Sequence, residues 1–295
     1  MKRSLLALIC LTLPLTAFGL EARIEPVESA IDAGDWKRAI KLAEDWVDDD
    51  PDNALAQYWL AVSRRVKMEN VNRMRAMATI GGYKRALTRA IELDPQLVDA
   101  RAERIGFLIH APGIAGGDRD EARREIEALR AIDPREAADM QLELARVEED
   151  MDGVLAALEQ IQALEPERDG VKIEVALIHI SQSRYQDAEE LLLACADSDE
   201  PGVSLGAQYQ RARWRVIAEE DTTTAATLLE NYLTTRGDED LPYAPDRSAA
   251  FWRLGLAQEM NGQQDLALSS LEQSVALNDE FEPAQEDLKR MQRGR

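Results

Sequence analysis

Residues 248–281 read SAAFWRLGLAQEMNGQQDLALSSLEQSVALNDEF. Phe251, Leu254, Gly255 and Gln258 follow helical spacing up to Met260-Asn261-Gly262, and Ala267, Leu271 and Ser274 resume it afterwards. Asn-Gly is turn chemistry, because both residues tolerate backbone angles that other residues resist. The stretch therefore predicts two short helices folded back on each other. Neither can bury its apolar face alone, so further helix pairs are needed on either side.

This pattern resembles a tetratricopeptide repeat, in which a large residue, a Leu-Gly pair and then small and apolar residues occupy fixed positions of a 34-residue helix-turn-helix. The resemblance implies that Gly255 and Ala267 lie where the two helices come closest, with Phe251, Leu254 and Leu271 filling the space around them. It also implies an all-α fold, a right-handed superhelix (α-solenoid) of about seven stacked helix pairs over residues 20–295.

The same frame runs through the chain. Residues 20–53 place Ala39, Ala43, Trp46 and Pro51 at second-helix positions, with Asp35 capping that helix after Ala33-Gly34. The next unit, from Ala54 to Pro95, is too long by about three helical turns. Its excess, VKMENVNRMRAMATIGG, is rich in Met and locally basic through Arg64, Arg65, Lys67, Arg73, Arg75, Lys84 and Arg85. Two readings stand: an adaptable contact surface, or a lengthened helix pair whose methionines face the core. In the unit from Val98 to Pro134, Ala122, Ile126 and Leu129 keep the frame after a Pro112–Asp118 connection rich in glycine. Asp118 and Glu121 form a capping-box pattern there. A structural turn is expected, since no Lys-Ser/Thr ending or preceding strand completes a nucleotide loop. Residues 137–166 and 169–200 follow. The unit after them keeps Ala212 and Ala225 in frame only with an altered turn. Arg236–Pro245 reads as a loop, and Phe281–Arg295 starts a last helix with a polar tail, Lys289, Arg290, Arg293 and Arg295.

The N-terminus has a different character. Lys2 and Arg3, the apolar run Leu5–Thr16 and the small-x-small Ala17-Phe18-Gly19 make a Sec-type signal peptide over residues 1–19, cleaved after Gly19 or retained as an anchor. The expected location is periplasmic or otherwise exported, in a bacterial envelope. Cys10 follows Ile9 rather than a small residue, which argues against lipidation. After cleavage Cys195 is the remaining thiol, so no intramolecular disulfide forms; its place in the frame is that of a small buried core residue. The formal net charge of -21 repels nucleic acid and anionic lipid and favours a protein or peptide partner with a basic or neutral face. Acidity that only keeps an exported protein soluble remains the alternative. No stretch after the signal is apolar enough for an integral membrane span.

Chemistry is not signalled. His110 and His179 lack metal-site spacing, and the sequence has no Gly-x-Ser-x-Gly elbow, Cys-x-x-Cys or dinucleotide fingerprint. His179 is expected to make a backbone hydrogen bond on its helix, and His110 to fix the adjoining loop. Catalytic residues, metal ligands and cofactors are assigned to none. What the frame leaves is a concave wall of first helices suited to a peptide or partner helix. By the family's phasing its exposed positions are Tyr58, Arg65, Arg101, Arg211, Arg215 and Trp252, residue types that anchor interfaces. The expected function is a non-enzymatic protein-protein interaction scaffold of the cell envelope. An accessory subunit or chaperone-like holdase, and an enzyme acting at the Pro112–Asp118 loop, are the other readings.

Overall fold

The computed structural model describes residues 15–293, with side chains from Leu20 onward, so the expected signal segment 1–19 lies outside the described residues except for the backbone of 15–19. Packing divides the chain at Glu149/Asp150 into two compact units. All regular structure of length among the described residues is helical.

Unit 1 holds α1 (Leu15–Asp32), α2 (Trp36–Asp49), α3 (Ala54–Glu69), α4 (Arg73–Leu93), α5 (Val98–His110), α6 (Arg119–Arg130) and α7 (Pro134–Val147). Each helix packs on the next, and α1 on α3 and α5 on α7 bring first helices of successive pairs together. The helix starts follow from capping. Asp35, Asn53 and Asn72 each accept a hydrogen bond at 3.1 Å from the backbone N–H three residues on. That satisfies one of the N–H groups a helix start leaves open.

The long unit is a lengthened helix pair: α4 simply starts early, at Arg73, and pairs with α3. Of its methionines Met68 packs against the core, while Met74 and Met77 do not face it. Met74 is 82% exposed and Met77 also lies at the surface, because the early turns of α4 have no neighbouring helix to cover them. Gly82 lets Arg64 lie against α4 and donate to its carbonyl oxygen at 2.9 Å.

The Pro112–Asp118 connection is a structural turn containing a short 3-10 segment, Gly113–Ala115. A Cβ on Gly117 would sit 1.8 Å from the Ala111 carbonyl oxygen, so only glycine fits. Asp118 caps α6 by accepting from the Glu121 N–H at 2.9 Å. The reciprocal half of the capping box is not made. The Asp118 N–H donates instead to Leu108, and Glu121 turns to Arg104.

Unit 2 holds α8 (Met151–Leu164), α9 (Asp169–Ser181), α10 (Tyr185–Ala194), α11 (Pro201–Ala218), α12 (Thr222–Thr235), α13 (Arg247–Met260), α14 (Gln264–Leu277) and α15 (Glu282–Arg293). Here α9, α11, α13 and α15 pack as successive first helices. In the 248–281 pair a Cβ on Gly255 would lie 2.9 Å from Leu271 Cγ and 3.1 Å from the Ala267 carbonyl oxygen. That is the close approach the repeat frame implied. Gly262 takes a φ of 76°, the left-handed turn the Asn-Gly pair foretold. The altered turn before α12 is made by Glu219 and Asp221, both left-handed. Cys195 is fully buried among Ile173, Ala188 and Leu192, and burial pushes its thiol up to about 11.

The Arg236–Pro245 loop is not loose. Arg236 is buried and donates to carbonyl oxygens of Gly237 and Pro245, while the Tyr232 hydroxyl also donates to Pro245. Tyr243, at a φ of 64°, lies over Gly170 of α9 and Gly206 of α11, where added Cβ atoms would come within 2.6 Å and 2.8 Å of it. Gly202 makes room in the same way for Pro242.

Candidate functional site

A groove of about 610 Å³ opens in unit 1 between first helices α3, α5 and α7. On α5, Asp99, Glu103, Gly106 and His110 recur every three or four residues and so share one face. α3 supplies Tyr58, Arg65, Met68 and Glu69, α7 supplies Met140 and Glu143, and Tyr83 reaches in from α4.

The floor is fixed by paired groups. Tyr83, 1% exposed, donates its hydroxyl hydrogen to Glu103 Oε1 at 2.9 Å and stacks at a tilt on Phe107 with ring centres 5.3 Å apart. Arg65 Nε lies 3.0 Å from the same Glu103 oxygen, and another Arg65 nitrogen donates to Glu69 at 2.7 Å. One guanidinium thus serves two carboxylates. Burial, then Asp99 and Glu103, pushes the Tyr58 phenol up to about 12. Burial and Glu103 likewise raise Tyr83. His110 Nε2 meets the Glu143 carboxylate across the rim. Its contact is therefore with α7, not with the loop it was expected to fix.

The groove lining holds no Ser, Thr, Cys or Lys. Among the described residues no cluster of His, Cys, Asp and Glu has the form of a metal site. His179 is buried with Nδ1 unpartnered; burial lowers its pKa, and the expected backbone hydrogen bond at that nitrogen is missing.

The six sequence candidates separate. Tyr58 and Arg65 line the groove. Arg101, one helix along, is taken up by the Pro95 carbonyl at 2.7 Å and by Glu125. In unit 2, Arg211 and Arg215 both bind Glu189 of α10, and Arg215 is buried, not exposed. Trp252 donates to Asp287 at 2.8 Å and packs edge-on against Phe281, holding α15. Phasing alone could not separate first-helix residues facing open space from those facing the next helix. Asp99, Phe107, Met140 and Glu143 were missed, although the spacing of Asp99, Glu103 and His110 was the available signal.

A sequence model described as tetratricopeptide repeat matches residues 27–66, from α1 through α3. Residues 27–66 therefore carry a tetratricopeptide repeat. One solved structure shares the fold over most of its own length, and others resemble it more distantly. YrrB, described as a TPR protein with an unusual peptide-binding site, superposes with a TM-score of 0.52 at 14% identity, over 69% of this chain and 98% of that one. A tetratricopeptide repeat protein from Parabacteroides merdae ATCC 43184 covers 92% of this chain and 98% of its own, at 13% identity and a TM-score of 0.46. PilW, a type IV pilus biogenesis factor, covers 91% and 97%, also at 13% identity and 0.46. No curated protein matches the sequence. Among the described residues no helix of the repeat protein is long and apolar enough to cross a membrane.

Proposed function

We propose that this repeat protein is a non-enzymatic scaffold, exported to the bacterial envelope, that binds a segment of a partner protein in the unit 1 groove. The observation that carries the reading is the groove itself, a concavity of about 610 Å³ with aromatic walls and an ordered floor. Export rests on the Lys2–Gly19 sequence pattern.

Gly106 provides the test. It lines the groove, and a Cβ added there meets nothing within 4 Å, so Gly106→Trp starts a bulky side chain into the concavity without a clash at the backbone. Envelope fractions should yield one dominant protein on the wild-type chain and lose it on Gly106→Trp. Equal capture by both chains would overturn the groove reading. N-terminal sequencing of protein from the exported fraction should start at Leu20; recovery only from the cytoplasm would remove the envelope assignment.

A further inference from the structure

The groove's charge is lopsided. Glu69, Asp99, Glu103 and Glu143 face it, against the single guanidinium of Arg65. Arg65 is already engaged by Glu69 and Glu103, and Glu143 by His110, while among the described residues Asp99 has no ion-pair partner. The negative field reaches beyond the lining. On α7 the Glu136 carboxyl is raised by burial and then by Asp139, Asp133, Asp99 and Glu143, as like charges crowd one another. The apolar remainder of the lining is Tyr58, Met68, Phe107 and Met140, surfaces on which the stem of a long basic side chain can lie.

Resting on the groove reading, we propose that the bound segment is cationic: an extended stretch carrying Arg or Lys, with the stem on Met68, Phe107 and Met140 and the charged head at Asp99. The length fits. From Asp99 to His110 the α5 face runs about 16 Å, room for about five residues of extended chain. An acidic segment would meet Asp99 with no counter-charge, so the same arrangement that favours a cation excludes the opposite sign.

The test uses a displayed library of random nonapeptides panned on the full chain and, in parallel, on Gly106→Trp. Sequences recovered only on the wild type should be enriched in Arg and Lys. The strongest of them should lose about tenfold in affinity on Asp99→Asn, at unchanged helical circular dichroism, and weaken as salt is added. Wild-type-specific sequences without basic enrichment, or an Asp99→Asn chain that binds as well as wild type, would overturn the charge preference and leave the groove standing. Recovery of the same sequences on Gly106→Trp, or of none specific to the wild type, would overturn the groove reading beneath it.

Discussion

Glu189 of α10 and Arg215 of α11 form a two-point ion pair, with Arg215 Nη1 and Nη2 each 3.0 Å from a different carboxylate oxygen. Trp214 and Arg211 add hydrogen bonds to the same carboxylate, so one acidic side chain ties together three residues of α11. Replacing it leaves the buried Arg215 guanidinium only the Arg211 carbonyl at 2.8 Å and the Asp221 carboxylate at 3.8 Å. Glu189→Ala should destabilise the chain by about 3 kcal/mol, read by denaturant unfolding. Arg211→Ala, which leaves the Arg215 pair intact, should cost under half of that. Equal losses would mean that the cluster is not centred on Glu189.

The same carboxylate sets a pH dependence. Burial by itself would raise it, but the hydrogen bonds from Arg215, Trp214 and Arg211 outweigh burial and hold it below its ordinary value of 4.5. A depressed folded-state pKa contributes stability that is complete above the unfolded value and is lost as pH falls through the folded one. The stability gap between wild type and Glu189→Gln should therefore be constant at neutral pH and shrink below about pH 4.5. A gap that widens on acidification would reverse the sign argued here.

Much of this architecture was legible because it is local or periodic. Gly255 against Ala267, the cap at Asp118, the turn at Gly262 and the burial of Cys195 each follow from spacing within one helix pair. What was not legible depends on what lies opposite. Met74 reads as core by residue type, and only the absence of a covering helix leaves it exposed. Arg215 and Tyr58 share a first-helix frame, yet one faces Glu189 and the other open groove. Tyr243 gave no signal, because its bed is made by glycines on two distant helices. Of the candidate site only Tyr58 and Arg65, both on α3, were readable. The rest needed α5 and α7 brought beside them.

That glycine bed makes a prediction of its own. With Gly206→Ala, the new methyl group would meet Tyr243 at 2.8 Å, and the loop backbone must move. Overpacking of this kind costs about 1–3 kcal/mol. The local readout is cleavage after the exposed Glu239 by a glutamate-specific protease, slow in wild type and at least several-fold faster in the variant. Unchanged cleavage would show that the loop is held by Arg236 and Tyr232 alone.

Cys195 should be chemically silent. Burial first, then the nearby Asp169 carboxylate, raises its thiol to about 11, so little thiolate forms at pH 8. Native protein should react with a thiol reagent only on the timescale of unfolding, and at once in denaturant. The raised pKa also stabilises the fold at pH values below the unfolded value of 9.0, a contribution lost as pH climbs to about 11. Fast native labelling would place the thiol at the surface.

The last helix depends on Trp252. Its indole N–H bonds Asp287 at 2.8 Å and its ring packs edge-on to Phe281, while Arg290 clamps Glu259 through two bonds of 2.6 Å. The clamp is exposed and adds little, as surface ion pairs do, so the attachment rests on the indole together with the buried Ala284 and Met291. Trp252→Phe keeps the packing and removes one donor, and Asp287 still has Arg290; about 1 kcal/mol should be lost. Trp252→Ala removes the packing as well, about 3 kcal/mol or more. Amide exchange across Glu282–Arg293 should then approach that of free chain, with α9 to α12 unaffected. Loss of protection throughout unit 2 would instead make Trp252 part of one cooperative core, since α14 would lose with α15 the cover over Leu268 and Leu271.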